Sequence, residues 1–347
     1  MKKLSKIIVA GSALLLVASM AFAGGAQQKA KEPKIGVAIY KFDDTFMSYV
    51  RNQIESAAKG KIQISVQDSQ YDQPKQNDQV DQFLVLGSTS LAINLVDPSA
   101  VSVIIAKAKA KNVPLVLFNR EPEAADMAKW DKVYYVGAKA QTSGTMMGEI
   151  VVNYWKAHPE ADLNKDGIIQ YVMLMGDPSN TDAKYRTEFS VKAITDAGIK
   201  VEKLAEDTAM WDRVKAQEKM AAFLTANKGK IEVVIANNDD MGLGAIEALK
   251  AAGFFKDGKY MPVVSVDATP PALDALEQGT LLGTVLNDAV NQGQATFDIA
   301  YALATGAAVT TKVAPLANAA GSPDPAGKYI WVPYQKVTKE NYKSFKK

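Results

Sequence analysis

Short apolar runs alternate with longer amphipathic stretches along most of this chain. The runs Lys34–Tyr40, Val113–Phe118 and Ile168–Met175 are almost continuously apolar, which is typical of strands buried on both faces. Stretches with a helical mix of residues lie between such runs, for example at 44–59 and 99–111. Strands that alternate with helices in this way predict parallel βαβ units with right-handed crossovers. The pattern predicts further strands at Lys61–Val66, Leu91–Leu95, Lys200–Leu204, Glu232–Ala236, Pro262–Val266 and Leu282–Leu286, and a further helix at 75–87.

The first 23 residues follow a different pattern. Lys2 and Lys3 precede an apolar run from Ile7 to Ser19, and Ala21-Phe22-Ala23 has the small residues of a cleavage site. The run is shorter than the roughly 20 apolar residues that a membrane-spanning helix needs. We therefore predict a cleaved secretory signal at 1–23, followed by a polar linker at 24–33. No Cys follows the run to carry a lipid anchor, so a soluble periplasmic protein is expected.

Composition narrows the chemistry that the chain can perform. It contains no Cys and one His, His158, which excludes disulfides, Cys-ligated zinc, iron–sulfur clusters and clusters of His ligands. The formal net charge is +2, from 40 basic and 38 acidic residues. The predicted signal carries Lys2, Lys3 and Lys6 and no acid, so the mature chain has 40 − 3 = 37 basic residues against 38 acidic, or −1. We expect no nucleic-acid partner.

Length and alternation together predict two α/β domains. Removal of the signal leaves 347 − 23 = 324 residues, which corresponds to two domains at roughly 150 residues each. The break between them is expected near Val136–Gln141, after the first run of βαβ units.

Polar residues follow five of the predicted strands. They include Asp44, Asn119, Asn238, Asp267 and Asn287. Ligands of open α/β sheets bind outside the carboxyl ends of the strands, so these side chains could surround one cleft. The alternative is that each is a helix N-cap or turn residue, a role that Asp and Asn favour. The repetition over five strand ends favours a ligand site.

The residue types indicate a neutral polyol or sugar as the ligand. Carboxylates and carboxamides offer acceptors and donors that suit vicinal hydroxyls. Asp182 and Arg186 lie four residues apart on one helix face, where they could contact hydroxyls or form only a surface ion pair. Phe46 and Trp211 offer flat faces for stacking on a sugar ring, although single aromatic residues are more often part of a core.

Five segments of the chain together form a specific pattern. They are YKFDDTFM (40–47), NLVDPS (94–99), DTAMWD (207–212), IEVVIANND (231–239) and GTVLND (283–288). These segments resemble the periplasmic galactose/glucose-binding proteins of sugar ABC transporters, over about residues 34–340 and in family order. The resemblance implies an α/β fold of two doubly wound parallel-sheet lobes joined by a three-strand hinge. The implied N-terminal lobe is 34–137 plus 289–325, and the C-terminal lobe is 138–288 plus 326–347.

The resemblance implies a monomeric, exported substrate-binding protein without catalytic activity. It would capture D-glucose or D-galactose in the interlobe cleft, deliver it to an ABC permease and present it to a chemoreceptor. Phe46 and Trp211 would sandwich the pyranose ring. Asp44 would lie near the C4 hydroxyl, where an ionised acceptor tolerates either epimer. The other implied sugar-binding residues are Asn119, Asn180, Asp182, Arg186, Asn238, Asp267 and Asn287.

Asn180 marks a departure from the family pattern. The family usually has a His two residues before the Asp that matches Asp182, and this chain has Asn180 there. An amide can donate a hydrogen bond but cannot carry a charge. The departure leaves the balance of affinity between the two sugars open.

A second site is predicted for structural calcium at 162–170. Asp162, Asn164 and Asp166 occupy positions 1, 3 and 5 of an EF-hand-like loop, and Gly follows at position 6. The carbonyl of Ile168 and the side chain of Gln170 would supply positions 7 and 9. Position 12 is not the usual Glu, and the resemblance implies that Glu232 completes the ligand set. The alternative is an ordinary Asp-Gly surface turn.

Two rival functions remain at this point. A sugar hydrolase would use Asp44 and Asp182 as its carboxylate pair, but Arg186 beside Asp182 is expected to keep that acid ionised. A repressor effector domain would need a DNA-binding helix-turn-helix at the N-terminus, where this chain has an export signal.

Overall fold

Two six-stranded sheets, each between two layers of helices, form the framework of the protein. The structure is a computed structural model that describes residues 32–309 and 327–346. The predicted signal at 1–23 and most of the linker at 24–33 lie outside the described residues. Residues 310–325, which the sequence assigns to the N-terminal lobe, also lie outside them.

The first third of the described chain supplies five of the six strands of the first sheet. Its elements, in chain order, are β1 (Lys34–Ile39), α1 (Thr45–Ala58), β2 (Gln63–Asp68), α2 (Gln73–Val85), β3 (Ser90–Ile93), α3 (Val101–Ala110), β4 (Leu115–Phe118), α4 (Ala124–Met127) and β5 (Val133–Gly137).

The second sheet is built from the same alternation of strands and helices. Its elements and the returning segments are α5 (Ala140–Ala157), β6 (Ile168–Met175), α6 (Thr181–Asp196), β7 (Lys200–Thr208), α7 (Arg213–Ala226), β8 (Val233–Ala236), α8 (Asp239–Ala251), β9 (Val263–Val264), α9 (Pro270–Gln278), β10 (Gly283–Leu286), α10 (Ala289–Thr305), β11 (Tyr329–Trp331) and β12 (Gln335–Thr338).

Both sheets have the doubly wound strand order. The first is β11-β5-β4-β3-β1-β2 and the second is β12-β10-β9-β8-β6-β7. All pairs in the first sheet are parallel, and in the second only the edge strand β12 is antiparallel, to β10. In each sheet the order reverses beside the first strand of the lobe, which is where such folds bind ligands. The predicted fold class is confirmed.

Burial explains why the strand segments are so apolar. Every residue of β3, β4 and β8 is buried, because helices cover both faces of each sheet. α1 and α10 cover one face of the first sheet, while α2 and α3 cover the other. α7, α8 and α9 cover one face of the second sheet, and α5 and α6 cover its opposite face.

The chain passes between the lobes three times, in short segments that lie side by side. The crossings are at 138–139 between β5 and α5, at 287–288 between β10 and α10, and at 332–334 between β11 and β12. The backbone N–H of Val332 donates to the carbonyl of Gly137 at 2.7 Å, which ties two of the crossings together.

One expected lobe boundary is corrected by the strand pairing. The sequence analysis assigns all of 326–347 to the C-terminal lobe. Tyr329–Trp331 pairs in parallel with β5 of the first sheet, and only the segment from β12 onward joins the second sheet. Strands β5, β11 and β12 were not predicted. β11 and β12 are only three and four residues long, and β5 ends where the break between the domains was expected.

Within 32–309 and 327–346, no helix has both the length and the hydropathy needed to cross a membrane.

Two glycines allow α5 and α6 to pack unusually closely. A Cβ on Gly148 would lie 2.3 Å from the carbonyl oxygen of Ser190 and 2.7 Å from the Cβ of Ala193. A Cβ on Gly144 would lie 2.8 Å from the carbonyl oxygen of Tyr185. The contact therefore depends on backbone-to-backbone approach, and α6 carries two of the predicted site residues.

We expect Gly148→Ala to lower the free energy of unfolding by roughly 1–3 kcal/mol, because the added methyl must push α6 away. Urea unfolding measures the loss. Lys156→Ala also ends in Ala, but on the exposed side of the same helix where no atom has to move, and it should have little effect. Equal stability of the Gly148 variant and the parent protein would contradict this account of the packing.

Candidate ligand-binding cleft

The carboxyl ends of strands from both sheets meet at one narrow cavity between the lobes. Nine of the ten predicted sugar-binding residues line it, and Asn180 is the exception. The sequence analysis did not assign Tyr40, Met47 or Arg120 to the site. The lining residues are Tyr40, Asp44, Phe46, Met47, Asn119, Arg120, Asp182, Arg186, Trp211, Asn238, Asp267 and Asn287.

Three of the lining residues have left-handed backbone conformations. Asn119, Trp211 and Asp267 have φ values of +64°, +65° and +131°. Such conformations are uncommon for residues other than glycine, above all for a bulky residue such as Trp211. They persist only where the surroundings enforce them. Each residue follows a strand directly or within a few positions, so the turn aims its side chain into the cleft.

The two predicted stacking residues lie in opposite lobes. Phe46 is in the first turn of α1, and Trp211 lies between β7 and α7; both are buried. Gly176 makes room for the indole, because a Cβ there would lie 2.3 Å from the Trp211 ring. The indole Nε1 of Trp211 is buried and has no hydrogen-bond partner.

Arg186 is held by fixed contacts in the floor of the cavity. Its Nη1 donates to the carbonyl of Asn237 at 2.9 Å, and its Nη2 donates to Asp182 at 3.0 Å and to the hydroxyl of Tyr334 at 3.1 Å. Nε of Arg186 is buried without a partner. Burial raises the pKa of Asp182, while the charges of Arg186 and Arg120 act in the opposite direction. Contrary to the expectation from the sequence, the charge of Arg186 does not outweigh burial at Asp182, and the pKa of this acid lies above its ordinary value.

Two of the residues that line the cavity are also helix caps. Oδ1 of Asp44 accepts the backbone N–H of Met47 at 2.7 Å and caps α1, while its Oδ2 accepts the hydroxyl of Tyr40 at 2.5 Å. Asn238 caps α8 by accepting from Met241 at 2.9 Å. Both side chains nevertheless line the cavity. The capping explanation therefore holds for these residues without excluding the predicted ligand-binding role.

Asn180 has only the capping role in this structure. Its Oδ1 accepts the backbone N–H of Asp182 at 2.9 Å at the start of α6. The side chain is buried and does not line the cavity. The cap uses only the amide oxygen, so Asn180 as a sugar contact stays a prediction.

A buried carboxylate behind the cleft fixes the loop that carries Asp267. Asp239 accepts hydrogen bonds from the hydroxyls of Ser265 at 2.6 Å and Thr284 at 2.7 Å. It also accepts from the backbone N–H of Thr269 at 2.7 Å. Burial raises the pKa of Asp239 to about 6 against the effect of these hydrogen bonds. Asp267 itself is held by Asn287, whose Nδ2 donates to it at 3.2 Å, and burial raises the pKa of Asp267 as well.

The cavity is small in this conformation. Its free volume is about 30 Å³, which is room for little more than one water. A larger groove of about 730 Å³ lies beside it and shares Phe46, Asp267 and Asn287, but its lining is mostly apolar. The narrow cavity is the one where charged and polar groups converge, so we take it as the site.

The predicted calcium loop is folded around its own carboxylates. Asp162 accepts the backbone N–H groups of Asp166 at 3.2 Å and Gly167 at 2.9 Å. Glu232, which is distant in sequence, joins the loop by accepting from Leu163 at 2.7 Å and from Gln170 at 3.0 Å. In the described part of the chain, no three Asp, Glu, His or Cys side chains group as a metal site by themselves. A cation here would also need amide and carbonyl oxygens.

Comparison with known proteins identifies the family. The model of the periplasmic binding protein domain matches residues 35–308. The D-galactose/methyl-galactoside binding periplasmic protein MglB of Haemophilus influenzae is 47% identical over 284 residues, which are 81% of this chain and 84% of the relative. The putative rhizopine-binding protein of Rhizobium meliloti is 32% identical over 345 residues, or 99% of each chain.

Solved structures agree with the sequence comparison. An ABC transporter solute binding protein from Bacillus halodurans, with bound myo-inositol, has a TM-score of 0.75 and 27% identity over 90% of this chain and 97% of that chain. The family match spans most of the present sequence, and the two-lobed fold and interlobe cavity accompany it. This chain therefore belongs to the periplasmic binding protein family.

Proposed function

We propose that this protein captures D-glucose or D-galactose in the interlobe cavity and delivers it to an ABC permease. The family consists of sugar-binding components of transporters, which are not enzymes, and the chain is such a component. The assignment of these two hexoses as ligands is more specific than the family membership. It is supported by the residues of the cavity and by the identity to a relative named for binding D-galactose and methyl-galactoside.

Buried hydrogen-bond donors without partners are the observation that carries the proposal. Arg120 Nη2, Arg186 Nε and Trp211 Nε1 are all buried, unpaired and contributed by residues that line the cavity. Leaving such groups unpaired costs about 1–3 kcal/mol each, and more when they are charged. A polyol supplies acceptor oxygens in several directions at once, while Phe46 and Trp211 supply apolar faces. A neutral hexose satisfies both requirements.

Lobe closure is the mechanism of capture. Asp44, Phe46 and Asn119 belong to the first lobe, whereas Asp182, Arg186, Trp211, Asn238 and Asp267 belong to the second. A sugar that contacts both sets binds the closed state more strongly than the open one, so it shifts the population towards closure. The three short crossings between the lobes allow this motion without disturbing either sheet.

Export, assembly and signalling complete the proposal. The N-terminal sequence supports secretion to the periplasm through a cleaved signal peptide and without a lipid anchor. We propose a monomer that presents the closed, sugar-bound form to the permease and also to a chemoreceptor.

We further propose that the loop at 162–170 binds a structural calcium ion. The described residues fit it: Oε1 of Gln170, the side chain at loop position 9, is buried and has no hydrogen-bond partner. Burial raises the pKa of Glu232, and the nearby charges of Asp162 and Asp166 add to that increase. A bound cation would give the Gln170 oxygen a partner and would offset the repulsion among the buried carboxylates. Asp162, Asn164, Asp166, Gln170, Glu232 and the carbonyl of Ile168 would hold it and cross-link the loop to β8.

Isothermal titration of the mature protein with D-glucose and D-galactose tests the sugar proposal. We expect saturable heat with one site per chain for both sugars. Heat with D-ribose or L-arabinose, together with none for either hexose, would refute the specificity.

Trp211→Ala should weaken hexose binding by roughly 1–3 kcal/mol, or about 5- to 150-fold in Kd, because one buried stacking face is lost. Titration calorimetry gives the ratio. Trp155→Ala removes the same kind of side chain from α5, where it packs against the hydrophobic core of the second lobe. This variant should leave Kd nearly unchanged. Equal affinities of the Trp211 variant and the parent would exclude the indole from the site.

Calcium at 100 times its Kd should stabilise the protein by about 2.7 kcal/mol through mass action. Thermal melting after chelation and after calcium addition measures the shift, with magnesium as the control cation. Glu232→Gln should reduce the shift strongly, because one full carboxylate leaves the loop. A melting midpoint that stays the same after chelation and after calcium addition would refute the calcium site.

A further inference from the structure

A chain of side-chain hydrogen bonds runs behind the cavity, from the first lobe through the second crossing to the second lobe. Nε2 of Gln292, near the start of α10, donates to Oδ1 of Asn287 at 2.5 Å. Nδ2 of Asn287 donates in turn to Oδ1 of Asp267 at 3.2 Å. Asn287 and Asp267 line the cavity, whereas Gln292 does not. We name these three residues the amide relay.

The relay fixes the orientation of the Asn287 amide, because both of its ends are engaged. The backbone N–H of Asn287 also donates to the carbonyl of Asp267 at 3.3 Å, so the two residues are joined twice. A carboxamide has two donor hydrogens and two acceptor lone pairs, and one of the hydrogens and one of the lone pairs on Asn287 remain for a ligand. Without Gln292, a half-turn of the amide could exchange the positions of its donor and its acceptor.

Gln292 occupies a place in the core where an apolar side chain would leave no polar atom unpaired. It is 1% exposed, and its Oε1 is buried without a hydrogen-bond partner. Thr296, one turn further along α10, is fully buried, and its hydroxyl also has no partner. Buried polar atoms without partners lower the stability of a fold. Packing alone therefore does not account for the amide at this position, and its hydrogen bond to Asn287 indicates a role in the site.

We propose that Gln292 is a positioning residue of the ligand site, which sets the donor and acceptor directions that Asn287 and Asp267 present to the sugar. The inference rests on the proposed function, because it names a residue that tunes the specificity of the same site. Gln292 orients the Asn287 amide, and that amide in turn holds the carboxyl group of Asp267. Polar groups that are ordered before binding lose less entropy when the ligand arrives, so the relay strengthens binding without touching the ligand.

Gln292→Met removes the amide at nearly constant volume. We expect about 5- to 10-fold weaker binding of D-glucose, because one hydrogen bond that orders the site is lost. The free energy of unfolding should change little, because the unpaired Oε1 disappears at the same time. Titration calorimetry and urea unfolding measure the two quantities.

Gln294→Met is the matched control, two residues further along the same helix. Its amide is hydrogen-bonded to Gln53 and Asp298, and it does not line the cavity. Both its affinity for D-glucose and its stability should stay close to those of the parent protein. A Gln292 variant with the affinity of the parent would overturn the positioning role.

D-Glucose and its four monodeoxy analogues (2-, 3-, 4- and 6-deoxy) separate positioning from a general loss of structure. The loss caused by Gln292→Met should be much smaller for the analogue that lacks a hydroxyl bound by Asn287 or Asp267, because that contact is already missing. The other sugars should show the full factor. An equal factor for all five sugars would mean that Gln292 affects the cleft as a whole, and it would overturn the inference.

The charge on Asp267 provides a readout that needs no ligand. Burial raises the pKa of Asp267, and the charges of Asp239 and Asp44 add to the increase. The charge of Arg186 and the hydrogen bond from Asn287 oppose it. Of these effects, the hydrogen bond is the one that depends on the relay.

Carbon-13 NMR titration of the Asp267 carboxyl group in the sugar-free protein measures this effect. Gln292→Met should raise the pKa of Asp267 above its value in the parent, because a less firmly held Asn287 donates a weaker hydrogen bond. Gln294→Met should leave it unchanged. The same pKa in all three proteins would overturn the relay even in a protein that binds hexoses. A parent protein that binds no hexose would instead refute the proposed function, while the NMR titration would still report on the relay.

Discussion

The burial of charged and polar groups between two lobes is the constraint on which the rest of the structure depends. Arg120, Arg186, Asp182 and Asp267 are almost completely buried, although charged groups are rarely buried without partners. Most of their polar atoms are paired within the protein, and the donors left without partners belong to arginine side chains that line one cavity. The two sheets, the crossings and the left-handed turns all serve to bring these groups together.

Two copies of one topology make this possible. Each doubly wound sheet directs the carboxyl ends of its strands to one edge, and the lobes face each other across these edges. Behind the cavity, a layer of hydrogen bonds fixes the polar side chains. Asp239 organises the Asp267 loop, and Tyr334 from the third crossing holds Arg186. The hinge therefore contacts the site directly, so opening of the lobes and release of a ligand are linked physically.

The alternation of strands and helices could be predicted from the sequence because buried parallel strands require continuous apolar runs. Strands β11 and β12 were missed, since three or four residues are too few for a periodic signal. The polar residues after the strands were located correctly, but their roles could not be separated. Asp44 is both a cap and a lining residue, whereas Asn180 is a cap that does not line the cavity. Arg120 was not assigned to the site, because one sequence does not show which residues of the two lobes meet.

A crystal structure of the mature protein grown with D-galactose tests the central claim most directly. The account predicts one hexose between Phe46 and Trp211, with its oxygens within hydrogen-bond distance of the presently unpaired nitrogens of Arg186 and Arg120. A hexose bound outside the interlobe cavity, or lobes closed on a cavity that excludes the sugar at saturating concentration, would contradict it.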